Sequence, residues 1–495
     1  MTERPLRVVV IGAGMAGILA GIKLREAGIE DFVIYEKADR VGGTWRENTY
    51  PGLTCDTPSH HYTYTFERNP DWSSYLPPGP EIQAYFEGTC HKYGIDTFIR
   101  FNAEIDSAEF RDGRWQLQLK DGQRDSADVV IAATGVLHHP STPAIEGIEN
   151  FKGTLFHSSR WDHSVPLAGK RIGVIGTGST GVQIVSALAG TAALIEHYVR
   201  TPQWIMPVDN TPYSAEQRKA FREDPAALAL AMNTEEYLAN VNSYTQVITR
   251  ENLEAAEFWK ATCLQNLEAS VTDPDLRERL RPDHEPLCKR LIFSPDYYRA
   301  IQHPQAALVT AGIERIEADG IRTADGELHK LDIIVLATGF KSDQFMRPMQ
   351  ITGTNGVTLE ALWAERPKAY LAVSMPDFPN FFMLNGPNGP VGNFPLIDIA
   401  EHQWHYIAQL LDKLRSGECT QICATAQALA SFEERRIAAA KTTVWFVGGC
   451  KSWYLDAHGI PSSWPWDYDR FVAEMRQPQW RDFAGVGAAH AEVVG

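Results

Sequence analysis

The sequence predicts an α/β protein with two Rossmann-like domains, each built on a parallel sheet that binds one dinucleotide. Three observations predict this fold class. A short β-branched strand runs into a G-x-G-x-x-G turn and a helical pattern at residues 7–24, and the unit recurs at residues 170–181. Apolar strands near residues 128–133 and 333–336 both lead into Ala-Thr-Gly. Because a glycine-rich turn between a strand and a helix binds phosphate in this fold, two units indicate two cofactors.

The first unit carries Gly12, Gly14 and Gly17, and the strand that follows its helix ends at Glu36. The first glycine permits a tight turn, the second lets backbone N–H groups approach a pyrophosphate, and the third brings the helix against the strand. An acid at this distance accepts hydrogen bonds from a ribose diol, so we expect Glu36 to bind the first cofactor. The alternative is a glycine turn without a ligand.

The second unit is expected to bind its cofactor through the residues of its turn, which are Gly176, Gly178, Ser179, Thr180 and Gly181. Its second strand ends in Arg200-Thr201 where the first unit has an acid. A cation at this place suits a ribose 2′-phosphate, which favours NADPH over NADH. The alternative for Arg200 is a solvated side chain at a strand end.

A further glycine-rich segment follows the first unit and includes Gly43, Thr44 and Trp45. The glycines allow the chain to turn close to a ring system, and Trp45 could pack near a flavin. Asp56 ends this segment. It is either a turn residue that caps the chain at Thr57-Pro58 or a carboxylate of the active site.

A charged, helical stretch interrupts the second unit, and the basic pair Lys289-Arg290 follows it. Such a pair is usually solvated, but here it lies where the two lobes are expected to meet. The predicted organisation has a discontinuous first domain, a second domain in two parts, and a helical insertion, which occupy residues 1–145 with 341–495, 146–204 with 288–340, and 205–287.

Composition favours small-molecule partners. The chain has 495 residues, 44% of them hydrophobic, and a formal net charge of −16, which argues against binding to nucleic acid or to an anionic membrane surface. Seven cysteines without a CxxC pair or zinc spacing indicate free thiols in a reducing cytoplasm and no metal site. Glycines break the N-terminal apolar run, so we expect no signal peptide, and no apolar stretch is long enough to span a bilayer.

The segment between the two glycine units carries the most specific pattern in the chain, Phe151-x-Gly153-x-x-x-His157-x-x-x-Trp161-Asp162. It resembles the fingerprint of the type I Baeyer–Villiger monooxygenases at every defined position. Related flavin-containing and N-hydroxylating monooxygenases end this motif differently, so Trp161 and Asp162 carry the distinction. The segment from residue 42 to Asp56 is similar to the second motif of the same family.

The resemblance implies an enzyme that uses FAD and NADPH to insert one oxygen atom of O₂ beside a ketone carbonyl, through a flavin C4a-peroxide, to give an ester or lactone. By the same resemblance Arg290 is the catalytic arginine and Asp56 its partner. Lys289 contacts NADP, Arg200 and Thr201 bind the 2′-phosphate, and Trp453 in Ser-Trp-Tyr lies on a mobile loop that touches NADP. Some relatives carry a long N-terminal extension, whereas the first strand of this sequence begins almost at once. We expect a monomer or a weak homodimer.

Several alternatives remain open at this point. The same cofactors serve an oxygenase that acts on sulfur or nitrogen, and a non-catalytic flavin-binding sensor could share the fold. A disulfide reductase is disfavoured because no CxxxxC follows the first glycine-rich helix. His157 is either a proton carrier or, as we expect, a hinge residue that ties the segment between the domains to one lobe.

Overall fold

Two parallel sheets of five strands organise the chain, which a computed structural model describes over residues 4–486. The first lobe begins with ten helices and strands, which are β1 (Val8–Ile11), α1 (Met15–Glu26), β2 (Phe32–Tyr35), α2 (Thr44–Glu47), α3 (Gly79–Lys92), β3 (Ile99–Arg100), β4 (Ile105–Arg111), β5 (Arg114–Leu119), β6 (Arg124–Ala127) and β7 (Val129–Ala132). The chain then enters the second lobe through β8 (Thr154–His157), β9 (Arg171–Ile175), α4 (Ser179–Leu188) and β10 (Leu194–Tyr198).

A helical insertion separates β10 from the rest of the second lobe. Its elements, with the two short strands at its base, are β11 (Ile205–Met206), α5 (Ala215–Glu223), α6 (Pro225–Met232), α7 (Thr234–Thr249), α8 (Leu253–Ser270), α9 (Pro274–Arg279) and β12 (Ile292–Phe293). Strands β11 and β12 pair in parallel. The insertion therefore leaves and rejoins the second lobe at adjacent positions, which is why a long helical stretch fits without disturbing the sheet.

The remaining elements complete the second lobe and then return to the first. The second lobe ends with α10 (Tyr297–Ile301), β13 (Ala306–Val309), β14 (Ile313–Glu317), β15 (Gly320–Thr323), β16 (Leu328–Lys330) and β17 (Ile333–Leu336). The final part contains β18 (Gln350–Thr352), α11 (Leu359–Leu362), β19 (Phe381–Met383), α12 (Leu396–Arg415), β20 (Gln421–Ala424), α13 (Ala426–Ala440), α14 (Val444–Val447), α15 (Tyr468–Arg476) and β21 (Phe483–Val486).

The two large sheets have the order β19-β7-β1-β2-β3 and β13-β10-β9-β17-β8. All their strand pairs are parallel. Their central strands are apolar on both faces, and β1, β7 and β17 are fully buried along their length, as expected for parallel strands covered by helices on each side. Two smaller sheets flank them: β4 to β6 pair antiparallel and β18 adds to β4 in parallel, and β14 to β16 form an antiparallel sheet.

The chain crosses twice between the lobes, and the two crossings lie side by side. Ser141 donates its backbone N–H to Gly339 O at 2.9 Å, and Lys341 donates to His139 O at 2.9 Å. These positions fall close to the predicted domain boundaries at residues 145 and 341. Residues 1–3 and 487–495 of the predicted first domain lie outside the described residues.

One sequence-based expectation about the cysteines is wrong. Cys288 and Cys450 form a disulfide across 162 positions of sequence, whereas free thiols were expected. A separation this long leaves no local spacing signal. The pair joins the end of the insertion to the C-terminal segment, where Trp445 and Tyr454 share a buried core with Trp204 and Val247.

Asn380 connects the first sheet to the C-terminal strand β20. Its Nδ2 donates to Asp128 O at 3.0 Å and Thr420 O at 3.1 Å, and its Oδ1 accepts from Ile422 N–H at 2.9 Å. The side chain is buried and its φ is 57°, a left-handed conformation that asparagine tolerates better than most residues.

We expect Asn380→Ala to lower the free energy of unfolding by about 2–4 kcal/mol, because buried backbone groups lose their partners. The matched control is Asn102→Ala, since Asn102 has a φ of 54° but is exposed; it should lose only about 1 kcal/mol. Urea denaturation followed by circular dichroism measures both, and equal losses would show that the three hydrogen bonds contribute nothing.

Candidate active site

A cavity of about 460 Å³ brings residues of both lobes together. Gly12, Glu36 and Asp56 line it from the first lobe, and Thr180 and Arg290 line it from the second. Within residues 4–486, no group of three or more His, Cys, Asp or Glu side chains is arranged to hold a metal ion. Among the same residues, every helix is too short or too polar to cross a membrane.

The first glycine turn leaves no room for side chains at two of its three glycines. A Cβ on Gly12, whose φ is +101°, would lie 2.6 Å from Ala133 O, and one on Gly17 would lie 1.8 Å from Gly12 O. The middle residue, Gly14, faces only the backbone of Gly43 at 3.6 Å. Helix α1 begins here without a side-chain cap or an acid in its first turn, so its free N–H groups are available to an anion.

The second glycine turn repeats this arrangement. A Cβ on Gly176, whose φ is +128°, would lie 2.0 Å from Ala337 O, and one on Gly181 would lie 2.1 Å from Gly176 O. Gly178 faces open space, and α4 starts at Ser179 without a side-chain cap or an acid in its first turn. In each lobe the backbone carbonyl of the strand that ends in Ala-Thr-Gly fills the space beside the first glycine, so that position has no room for a side chain.

Glu36 lies at the end of β2 and lines the cavity. Its Oε2 accepts from Ala13 N–H at 2.8 Å, and its Oε1 accepts from Ala38 N–H at 2.9 Å and from Arg46 at 3.0 Å. A carboxylate oxygen has two lone pairs, so Oε2 retains capacity for another donor. Glu36 therefore presents an unused acceptor at the cavity.

The segment from Gly43 to Trp45 lies against the first glycine turn. Gly43 has a φ of +54°, and a Cβ there would be 3.1 Å from Gly14 Cα. Thr44 starts the short helix α2, and Trp45 donates its Nε1–H to the Tyr62 hydroxyl at 3.0 Å. Thr44 and Trp45 both line the cavity.

Helix α4 of the second lobe packs directly on the first lobe. The Tyr50 hydroxyl donates to Gln183 Oε1 at 2.9 Å, and Gln183 Nε2 donates to Thr54 Oγ1 at 3.0 Å. A Cβ on Gly52 would lie 2.6 Å from Gln183 O. Helix α4, which begins at the second glycine turn, is therefore also a contact between the two lobes.

Arg290 and Asp56 form an ion pair across the lobes. The guanidinium Nε donates to Oδ2 at 2.9 Å and NH2 lies 2.8 Å from Oδ1, a bidentate geometry that fixes the guanidinium plane. Arg290 also donates to Gly392 O. Burial opposes the charge, but nearby Asp56 outweighs it and raises the pKa of Arg290 well above its ordinary value. The main contact of Asp56 is therefore the ion pair with Arg290, and not a cap of the chain at Thr57-Pro58.

Arg200 and Lys289 are neighbouring cations close to the second glycine turn. Burial and the charge of Arg200 lower the pKa of Lys289, and neither residue has an ion-pair partner among the contacts of the described chain. Thr201 is half-buried, and Gln203 Nε2, two residues further, donates to Thr177 Oγ1 at 3.2 Å. Two unpaired cations beside a glycine turn form a site for an anion.

Residues 151–162, the fingerprint segment, form the edge of the second sheet, since they contain β8. Phe151 packs at the edge of a core cluster of this lobe, and a Cβ on Gly153 would lie 2.5 Å from Asp332 O. Trp161 is buried against Phe156, with ring centroids 4.9 Å apart. None of the five motif residues lines the cavity.

His157 joins the fingerprint segment to the return crossing between the lobes. Its Nε2 lies 3.0 Å from Gly339 O, and its Nδ1 lies 3.2 Å from Ser159 N. A carbonyl accepts only, so Nε2 carries the proton and Nδ1 accepts from Ser159 N–H. Burial lowers the pKa of His157. Asp162 at the end of the segment is exposed and accepts from Ser164.

Three further residues belong to the site and were not predicted. Gln183 lies one helical turn after Thr180 on the same face of α4, a spacing that could have identified it. Tyr454 follows Trp453, which lines the cavity, and its hydroxyl lies 2.1 Å from where a Cβ on Gly392 would be. Gly392 acts through its carbonyl, and a backbone contact leaves no signal in sequence.

Comparison with known proteins identifies relatives along most of the chain. A family model described as pyridine nucleotide-disulphide oxidoreductase matches residues 9–251. An uncharacterized monooxygenase of Mycobacterium bovis is 48% identical over 94% of this chain and 93% of its own length. A Baeyer–Villiger monooxygenase of Streptomyces coelicolor is 35% identical over 99% of this chain and 94% of its own.

The chain belongs to the Baeyer–Villiger monooxygenase family. The cyclohexanone monooxygenase from Rhodococcus sp. Phi1 bound to NADP⁺ is 28% identical, with a TM-score of 0.85 over 98% of this chain and 99% of its own. The structure of OTEMO in complex with FAD and NADP is 27% identical, with a TM-score of 0.85 over 98% and 100%. These comparisons confirm three predictions: the family, the two-domain α/β fold class and the monooxygenase class.

Proposed function

We propose that this chain inserts one oxygen atom of O₂ beside the carbonyl of a ketone to give an ester or lactone, with FAD and NADPH as cofactors. The observation that carries the proposal is the ion pair of Arg290 with Asp56 at the cavity between two dinucleotide-type lobes. Overall, ketone, O₂, NADPH and a proton give ester, water and NADP⁺, so the second oxygen atom leaves as water.

FAD and NADPH are the cofactors of this family, and the two lobes fit them. The first glycine turn, with Gly12, Gly14 and Gly17 at the start of α1, would hold the FAD pyrophosphate, and Glu36 would hold its ribose. Gly43, Thr44 and Trp45 would cover it on the cavity side. Residues 1–145 and 341–495 then form the FAD-binding domain.

The second lobe would hold NADPH at residues 146–204 and 288–340, with residues 205–287 as an insertion. Its pyrophosphate would lie at Gly176 to Gly181, where Gly178 faces open space. Arg200, Thr201 and Lys289 would bind the 2′-phosphate, since two cations without carboxylate partners have charge to offer a dianion. NADH lacks that phosphate, so the same residues discriminate against it.

The bound cofactors supply the redox chemistry, in which reduced FAD activates O₂. The chain supplies charge and orientation. Arg290 keeps a permanent positive charge with several N–H donors, so it stabilises the negative charge that develops during oxygen transfer to the ketone. Asp56 accepts from one edge of the guanidinium, and Gly392 O accepts from another of its N–H groups. These two contacts fix the direction in which the remaining N–H donors point.

The fingerprint segment would act as a hinge between the lobes. His157 is neutral, buried and bound to Gly339 O on the returning crossing, and it does not line the cavity. These contacts support a positioning role and give no support to proton transfer. The NADPH-binding lobe would move about this point between the pose that delivers hydride and the pose that admits the ketone.

We expect Arg290→Ala to retain NADPH oxidation and to lose ester formation by at least about 100-fold, because the developing charge loses its stabilising cation. The measurement is product per NADPH oxidised over a panel of cyclic, linear and aromatic ketones. Arg299→Ala is the matched control, since Arg299 is exposed on α10 and pairs with the neighbouring Asp296. Ester formation at the parent rate by Arg290→Ala would refute the assignment.

We expect Arg200→Ala to raise the KM for NADPH by about 10–100-fold, the loss that corresponds to one hydrogen bond to a charged group. The KM for NADH should change by less than about threefold, since the missing contact is to the 2′-phosphate. Steady-state kinetics with both nucleotides test this. Arg124→Ala, at an exposed position of β6, should change neither value, and an equal rise for both nucleotides would place Arg200 elsewhere.

We expect His157→Ala to slow both flavin reduction and product formation by about tenfold while FAD stays bound, because the lobes lose a fixed contact. Stopped-flow absorbance follows reduction, and single-turnover product analysis follows oxygenation. His91→Ala, an exposed histidine on α3, is the control. If His157→Ala changed only product formation, the hinge role would be refuted, and His157 would act locally in the chemistry instead.

A further inference from the structure

The disulfide between Cys288 and Cys450 joins two segments that both reach the cavity. Arg290 follows Cys288 by two residues, and Trp453 follows Cys450 by three. Arg290 and Trp453 both line the cavity. The covalent bond therefore ties the arginine of the site to residues 449–454, which we name the tail loop.

The backbone around the disulfide packs closely. A Cβ on Gly448 would lie 2.9 Å from both Cβ and Sγ of Cys288. Glu285 N–H donates to Gly448 O at 3.1 Å. Within the tail loop, the Trp453 carbonyl accepts from the Ser342 hydroxyl at 3.4 Å, and the Tyr454 carbonyl at its far end accepts from Ser462 N–H at 2.8 Å. The disulfide is thus a major restraint on the start of the loop.

The far end of the tail loop rests on the groups that orient Arg290. Tyr454 is buried, stacks on Trp445 with ring centroids 4.8 Å apart, and lies against Trp453 at 4.2 Å. Its hydroxyl occupies the space beside Gly392, whose carbonyl accepts from Arg290. Displacement of the loop would remove Trp453 from the cavity and Tyr454 from beside Arg290 together.

The two cysteine residues differ in exposure. Cys288 is fully buried, whereas Cys450 is half-buried and precedes the exposed Lys451. An external thiolate can therefore reach Cys450 first. The other five cysteines of the chain are free in the structure, so this pair is the one disulfide of the described chain.

We propose that Cys288–Cys450 is a thiol–disulfide exchange site at which a dithiol reductant releases the tail loop from the cavity. A thiolate of the reductant attacks Cys450 Sγ, the Cys450–Cys288 bond breaks, and Cys288 leaves as a thiolate that takes a proton. The second thiol of the reductant then displaces Cys450 as a protonated thiol, so the reductant becomes a disulfide and the protein gains two electrons and two protons.

Thiol counting and hydrogen exchange test the proposal without any turnover. Alkylation of the denatured enzyme, read by mass spectrometry, should label five cysteines before treatment with dithiothreitol and seven after. Amide exchange of residues 449–454 should become at least about tenfold faster after reduction, because the disulfide no longer restrains local opening of this segment. Seven labelled cysteines before treatment, or unchanged exchange after it, would overturn the proposal.

Variants separate this bond from general effects of the reductant. Cys450→Ser should show the fast exchange without dithiothreitol and no further change with it. Cys423→Ser, a matched control on β20, should respond to dithiothreitol as the parent does. A response of Cys450→Ser equal to that of the parent would show that the reductant acts elsewhere.

The effect on catalysis rests on the proposed function. Reduction should lower the product formed per NADPH oxidised by at least about twofold, since a displaced tail loop exposes the site to water. A chain that makes no ester under any condition but shows the exchange difference would refute the proposed function and leave the switch standing. Unchanged product yield together with a tenfold faster exchange would show that the tail loop does not control the site.

Discussion

The pair of Arg290 with Asp56 is the constraint on which the site depends. A guanidinium that is mostly shielded from water is stable only beside a partner, because desolvation of an unpaired charge costs several kcal/mol. The carboxylate belongs to the first lobe and the guanidinium to the second. The two lobes must therefore lie in this arrangement for the ion pair to form.

Helix α4 adds a second link of the same kind. Its N-terminus begins at Ser179 beside the open face of Gly178, and one turn later Gln183 bonds to Tyr50 and Thr54 of the first lobe. A ligand bound at the second glycine turn thus sits on a helix that is already fixed to the other lobe. Movement between the lobes has to break or rotate these contacts, which lie at the cavity.

Sequence alone predicts the elements that depend on local pattern. Both glycine units, their flanking strands and the helical insertion follow from apolar periodicity and turn chemistry. The family resemblance singles out Asp56, through the second motif, and Arg290 as candidate site residues. The sequence could not reveal the hydrogen bond from Arg290 to Gly392 O, because every residue type has a backbone carbonyl. The disulfide was missed for a related reason, since loop closure across 162 residues depends on how the insertion packs against the tail.

These long-range contacts share one feature, which is that each ends at Arg290 or at a neighbour of it. Asp56 holds the guanidinium from the first lobe, Gly392 O holds it from the loop before α12, and Tyr454 closes the space behind that carbonyl. The three segments are far apart in sequence, so no local fold fixes them relative to one another. The covalent bond two residues from the arginine therefore adds a long-range restraint directly beside the cation of the site.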